Sequence, residues 1–330
     1  MTEHSDPVAG KICWVLTDGK AGMENQCLGL AEALGLDPEI KRVAPRFPWR
    51  FLPPHLWFGA LHAPGPDGDT LSPPWPDLLI ATGRQTVALS IAIKRLVGNR
   101  IFTVQIQNPV IGATRFDLVA TPRHDRMTGG NVIVTEGALH RITPDRLTAE
   151  AEKFRGGLSG LPQPRIAVLI GGSNGQYRMT RKSTEALADR LAVLARDHGA
   201  GLMVTASRRT GAENEATLRE RLAGHSAEIW NGAGDNPYFG YLGLADAIVV
   251  TGDSVSMVSE ACATGKPVYV FDLEGGSEKF RRFHDNLRER GFTRPFTGSL
   301  EIWDYTPLRD TELVADEIRR RIDALGAKAA

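Results

Sequence analysis

Cysteine is scarce in this chain: 330 residues hold three, Cys13, Cys27 and Cys262. They are odd in number, far apart and set among apolar residues. That pattern excludes a disulfide framework and a zinc set, and it reads as reduced core thiols in a cytoplasmic protein. An excess of charge of one sign is also missing, since 39 basic residues balance 39 acidic ones. No global field draws the chain to nucleic acid, so any anion recognition has to be local. Long hydrophobic runs are absent as well. The polar start MTEHSDPVAGK leads only to the short run Ile12 to Leu16, far below a signal-peptide core or a membrane span. The expectation is a soluble cytoplasmic chain whose membrane contact is at most peripheral, on the inner face. Neither GxxxxGK[ST] nor GxGxxG occurs, which removes the P-loop and the dinucleotide fingerprint.

What is present is a repeated alternation of apolar strand, polar loop and helix. The length suits two α/β domains. The expected division is an N-terminal Rossmann-like domain over 1–160, a second over 161–305, and a terminal helix in 306–330 that packs back on the first. The linker is read at Ser159 to Pro164, and the two doubly wound parallel sheets are expected to face a cleft. In the first domain, Lys11 to Thr17 reads as a strand ending in Asp18, Gly19, Lys20, Ala21 and Gly22, with a helix from Glu24 to Leu34. Lys20 beside a helix start suits a phosphate or carboxylate, and equally reads as a solvated lysine in a tight turn. Later strands deliver further polar groups at their C-terminal ends, where parallel sheets bind ligands. These are Arg84 and Gln85, then Gln107 and Asn108, then His124 with Asp125. Gly19, Gly22, Asn25, Gln26, Arg84, Gln107, Asn108 and His124 are therefore the acceptor-side candidates. The stretch Pro45 to Pro76 differs in composition, with five aromatics in RFPWRFLPPHLWFGALH. It reads either as a membrane-surface patch or lid, or as rings packed on the domain.

The second domain opens with Arg165 to Ile170 and a second glycine loop, Gly171, Gly172, Ser173, Asn174 and Gly175. Three glycines in five residues permit close backbone approach by a diphosphate. Ser207, Arg208 and Arg209 end the next strand with paired cations suited to phosphate, and Asn236 and Tyr238 form a polar turn before a short helix. The segment from Ala247 to Phe271 is the most informative. Ile248, Val249 and Val250 make a buried β-branched strand, Asp253 and Ser254 break it, and a helix from Val255 to Thr264 carries Ser256, Met257 and Glu260 near its start. The first turn of such a helix offers free N–H groups to an anion.

These motifs resemble known families. The glycine loop, Ala245 and Asp246, the run Val258, Ser259, Glu260 and Ala261, then Gly265, Lys266 and Pro267 look like the nucleotide-sugar half of glycosyltransferases of the GT-B type, with the lipid-linked peptidoglycan N-acetylglucosaminyltransferase nearest in pattern. DGKAGMENQCLGLAEALG, ATGRQT, VQIQNP, IGGSNG, TASRRTGAE and NPYFGYLGLADAIVVTGDSVSMVSEACATGKPVYVF resemble, from end to end, the mitochondrial-fission (elongated-mitochondria) family of proteobacterial type. The GT-B resemblance implies that Glu260 accepts hydrogen bonds from a ribose, that Ser254, Ser256 and the adjacent N–H groups meet a diphosphate, and that Asn286 lies near a sugar-contacting helix start. It implies a nucleotide-diphosphate sugar as donor substrate, with no cofactor and no metal, since no DxD-like pair stands at a strand end. It also implies a cell-envelope or lipid acceptor. Glu24 and Asp18 are the carboxylates placed where a general base could stand. A nucleotide-sugar 2-epimerase, a non-catalytic nucleotide-sugar binder and a membrane-associated scaffold remain alternatives.

Overall fold

The computed structural model describes residues 6–329; residues 1–5 and 330, which include part of the polar N-terminal stretch and the last residue, lie outside that range. In chain order the regular elements begin with β1 (Cys13–Thr17), α1 (Ala21–Ala33), β2 (Glu39–Arg42), β3 (Leu78–Thr82), α2 (Arg84–Val97), β4 (Phe102–Ile106), β5 (Leu118–Pro122) and β6 (Val132–Thr135). Then follow α3 (Pro144–Arg155), β7 (Arg165–Ile170), β8 (Tyr177–Arg178), α4 (Arg181–Asp197), β9 (Gly201–Ala206), α5 (Ala212–Leu222), β10 (Ala227–Ile229) and α6 (Tyr238–Leu244). The last are β11 (Ala247–Thr251), α7 (Val255–Cys262), β12 (Val268–Phe271), β13 (Glu274–Gly275), α8 (Glu278–Glu289), β14 (Thr293–Pro295) and α9 (Asp310–Ala329).

The chain forms two compact units, one of residues up to Arg141 together with Arg309 onward, the other Ile142–Leu308. Each is built on a six-stranded sheet, in the orders β2-β1-β3-β4-β5-β6 and β10-β9-β7-β11-β12-β14, paired in parallel throughout. The expected parallel, doubly wound architecture is therefore what the sequence forms. The reason is visible in the strands. In β7, Ile166, Val168 and Ile170 face α4 and α5, while Ala167 and Leu169 face α6, α7 and α8. In β1, Cys13 and Val15 pack with α1 and α9, and Trp14 and Leu16 with α2 and the proline-rich stretch. A strand covered on both faces must be apolar at every position.

The expected domain boundary is displaced. It lies at 141/142 and not at 160/161, because α3 belongs to the second unit. Gly240 and Gly243 of α6 let the two helix backbones come together: a Cβ on Gly243 would lie 2.4 Å from Leu147 O, and one on Gly240 would lie 3.1 Å from Glu150 O. Thr143 caps α3, its hydroxyl accepting from Arg146 N–H, with Pro144 at the first helical position. The terminal helix spans Asp310–Ala329. Its first turn is tied to the strand side of its unit, where the Asp310 carboxylate accepts from the N–H groups of Glu136 (3.1 Å) and Gly137 (2.8 Å).

In the proline-rich stretch, Trp57 and Trp75 pack against the first sheet, whereas Phe47, Phe51, Leu56 and Phe58 are exposed. All three cysteines are buried, and burial pushes the Cys13 thiol up to about 12 and those of Cys27 and Cys262 upward as well. No helix among the described residues is long and apolar enough to cross a membrane.

His140 gives the first unit a pH-dependent stability. It is 2% exposed, and burial holds its imidazole down to about 4 from the usual 6.5. Between these values the unfolded chain binds a proton that the folded chain refuses, so stability falls as the pH drops through that window. The expected slope is about 1.4 kcal/mol per pH unit for this group. Urea midpoints measured from pH 7 to pH 4.5 should fall, and His140→Gln should flatten part of that fall.

Candidate functional site

A doubly wound sheet binds ligands where successive crossovers leave in opposite directions. In the second unit this point lies between β7 and β11, which pair directly, with β9 and β10 on one side and β12 and β14 on the other. The loops after β7 and β11 meet there, and they are locked together. Asp253 is 2% exposed, and its carboxylate accepts from Gly172 N–H (3.1 Å), the Thr251 hydroxyl (2.7 Å) and the Arg209 guanidinium (2.6 Å). Thr251 in turn accepts from Gly171 N–H at 2.8 Å, and the Asn174 amide donates to the Asp253 carbonyl at 3.2 Å. Ser207 and Thr210 hydroxyls both donate to Gly171 O at 2.6 Å.

Asp253 thus holds the loops together. The first two glycines of the loop make room for protein groups: a Cβ on Gly171 would lie 2.2 Å from Asp253 Oδ1, and one on Gly172 2.1 Å from Arg209 O. Only the third, Gly175, opens onto free space. Ser173 and Asn174 are exposed on the loop, but their side-chain oxygens accept from Met179 N–H, and from Gln176 and Tyr177 N–H, respectively. Arg209 spends its charge on Asp253, while Arg208 beside it is exposed at the end of β9.

Helix α7 starts from this latch. Ser254 caps it, its hydroxyl accepting from Met257 N–H at 3.3 Å, and the Met257 side chain packs into the core. Ser256 stands half-buried in the first turn. Glu260 follows one turn on, 6% exposed, with the Tyr238 phenol donating to its Oε2 at 2.5 Å. That carboxylate and burial raise the Tyr238 hydroxyl well above its ordinary range, burial being the larger cause. Asn236 caps the turn before α6, accepting from Tyr238 N–H at 3.1 Å. Ser254, Ser256, Glu260, Tyr238 and Arg208 thus belong to elements that meet at or beside one sheet edge.

Asn286 does not sit at a helix start. Ser277 caps α8, so Asn286 falls in its later half. His284 occupies the face turned to the latch, its Nε2–H donating to Gly252 O at 2.7 Å, with the buried Nδ1 left without a partner. Asn286, half-buried, lies about 200° around the helix from His284. Burial chiefly lowers the His284 pKa, so this imidazole is held neutral under the loop. In the sequence it is one more polar residue on a polar helix face, and no local signal marks it.

In the first unit the corresponding point lies between β1 and β3. Helix α1 starts earlier than expected, at Ala21, and α2 starts at Arg84, which places Gly22 and Glu24 in the first turn of α1 and Arg84 at the start of α2. A cavity of about 260 Å³ is lined by Asp18, Lys20, Met23, Arg50, Trp57, Arg84, Gln85 and Gln107, among others. Arg50 and Trp57 come from the proline-rich stretch and had no counterpart among the expected site residues. Gln107 shows a positive φ of 68°, a costly conformation for a residue with a side chain, and its amide reaches Gln26 at 3.5 Å.

Neither expected base is unencumbered. Arg42 grips Glu24 through both oxygens at 2.9 and 2.7 Å, and Lys20 Nζ lies 2.5 Å from Asp18 Oδ2. Gly19 flanks the Asp18 turn, its N–H donating to the Thr17 hydroxyl, and Asn25 is half-buried on α1. Asn108 closes its own turn by accepting from Val110 N–H. His124 is buried beyond β5, outside the cavity lining, 4.0 Å from Asp125.

The latch is directly testable by denaturation. Gly171→Ala and Gly172→Ala should each lower stability by about 2 kcal/mol or more, through steric intrusion on Asp253 or the 209 backbone. Gly175→Ala should stay within about 0.5 kcal/mol. Equal costs at all three positions would contradict the assignment.

Comparison with known proteins places this geometry. The family described as mitochondrial fission ELM1 matches residues 21–322. The mitochondrial fission protein ELM1 of Arabidopsis thaliana is 37% identical over 278 residues, covering 76% of this chain and 65% of its own length. Uncharacterized protein RP120 of Rickettsia prowazekii (strain Madrid E) is 26% identical over 353 residues, covering 93% of this chain and 97% of its own. Among solved structures, UDP-GlcNAc 2-epimerase from Methanocaldococcus jannaschii is similar with a TM-score of 0.57 at 12% identity, over 94% of this chain and 99% of that one. The same enzyme in complex with UDP-GlcNAc and UDP gives 0.53 over the same shares. The fold is thus the GT-B arrangement of two Rossmann-like domains, and the chain belongs to the mitochondrial fission ELM1 family.

Proposed function

We propose that this chain binds a nucleotide-diphosphate sugar at the β7/β11 switch point and acts as a metal-independent glycosyltransferase on a cell-envelope or lipid acceptor. The observation that carries the reading is the latch, which holds the Gly171–Gly175 loop and the capped start of α7 as one rigid edge. A rigid edge that presents a helix N-terminus and an exposed arginine suits a diphosphate. Ser256, the N-terminal end of α7 and Arg208 take the diphosphate. Glu260 takes ribose hydroxyls alongside Tyr238. Lys20 and the other candidates of the first unit serve the acceptor side. The fold likeness to an enzyme whose structure holds UDP-GlcNAc and UDP is consistent with that ligand class.

A second reading, a nucleotide-sugar binder without turnover, is favoured by one observation. The carboxylates placed to act as base, Glu24 and Asp18, are held by Arg42 and Lys20. The two readings share the ligand and differ in whether nucleoside diphosphate is released when acceptor is present.

Thermal-shift measurements with UDP, GDP, CDP and ADP sugars test the shared part. A ligand at about 100 times its Kd should stabilise the protein by roughly 2.7 kcal/mol. Glu260→Ala and Arg208→Ala should each remove most of that shift. A flat response to every nucleotide sugar, unchanged by either substitution, would overturn the reading.

A further inference from the structure

The cationic cavity of the first unit does not stand alone. Trp57 lines it on one side and also lines a second, larger groove of about 650 Å³. The two differ in size and in apolar wall. Around the small cavity stand Lys20, Arg50 and Arg84 against the single carboxylate of Asp18, a surplus of two positive charges by that count. The groove has an apolar wall of Ala60, Leu61, Ile91, Ala92, Leu96 and Ile111, with His55, His62, Arg95 and Arg115 also lining it, and a volume usual for small-molecule sites. Its wall toward the cavity is fixed: the Trp57 indole N–H donates to Leu52 O at 3.1 Å, and Arg84 Nη2 donates to Phe51 O at 3.3 Å and Leu52 O at 3.1 Å. The Arg50 guanidinium lies over the Phe51 ring at 4.8 Å. The same turn therefore positions two cations and the indole that separates head space from tail space.

We propose that this composite site binds a lipid phosphate, with its phosphate between Arg50, Arg84 and Lys20 and its hydrocarbon chain along the groove past Trp57. Arginine forks suit phosphate oxygens better than they suit a hydroxyl or a sugar head, and the apolar wall of the adjoining groove gains from a chain that a free phosphate lacks. As the acceptor of the transferase, the lipid phosphate rests on the function proposed above. Its binding does not, because the site is contained in the first unit and is measured with no nucleotide present.

The test is titration calorimetry of the full chain with decyl phosphate, decyl glucoside and inorganic phosphate, all below micelle-forming concentrations. Decyl phosphate should bind at least tenfold more tightly than either of the others. Arg50→Gln with Arg84→Gln should cut its affinity at least tenfold. Leu96→Glu, at a position 58% exposed where the fold tolerates charge, should weaken decyl phosphate severalfold and leave inorganic phosphate unchanged. Urea midpoints close to wild type confirm that these variants fold. Equal affinity for decyl phosphate and decyl glucoside would reduce the groove to a detergent surface and overturn the proposal. Equal affinity for decyl phosphate and inorganic phosphate, insensitive to Leu96→Glu, would overturn it in favour of a free-anion pocket. Lipid-phosphate binding together with a flat nucleotide-sugar screen would retain this site and discard the donor assignment; the reverse pattern would do the opposite.

Discussion

The carboxylate of Asp253 is buried, and a buried charge is tolerated only when its oxygens are satisfied and its charge is met. Gly172 N–H, the Thr251 hydroxyl and Arg209 together meet both needs. The consequence extends past the residue itself. Three segments far apart in sequence, the loop after β7, the end of β9 and the loop after β11, become one piece. Ser254 begins α7 from that piece, so the direction of the helix and the placement of Glu260 follow from it. In a low-dielectric setting a satisfied network is rigid, and losing one member exposes the rest to the full cost of desolvation.

Much of the framework could be read from the residues alone. Runs such as Ile248 to Val250 are β-branched and apolar at every position, and only a strand covered on both faces requires that. The glycine loop was also visible, but its purpose was not. Nothing local to GGSNG reveals that the Asp253 carboxylate, far along the chain, occupies the space a Cβ on Gly171 would take. The same holds for the domain boundary. Pro and Gly around residue 160 look like a linker, yet the fit of α3 onto Gly240 and Gly243 draws the division back to 141/142. Asn286 and His284 show the limit of pattern at the scale of a helix, where a shift of two residues turns a side chain about 200° around the axis.

The first unit shows how a segment with no regular pattern acquires a role. Pro45 to Pro76 has neither strand nor helix period, so its residues could not be assigned partners from sequence. In the fold it supplies Arg50 and Trp57 to the β1/β3 switch point, while α2, starting at Arg84, returns hydrogen bonds to its carbonyls. The two carboxylates that sequence position offered as bases are each bound to a cation. Around this point Lys20, Arg50 and Arg84 outnumber the carboxylate of Asp18.

A ligand-bound crystal structure tests the central claim most directly. With a stabilising nucleotide sugar present, the diphosphate should lie against the first turn of α7 beside Gly175 and Arg208, with the ribose on Glu260 and the Asp253 latch unchanged. A nucleotide bound elsewhere, or one that breaks the Asp253–Arg209 pair to reach the Gly171–Gly172 backbone, would contradict the account.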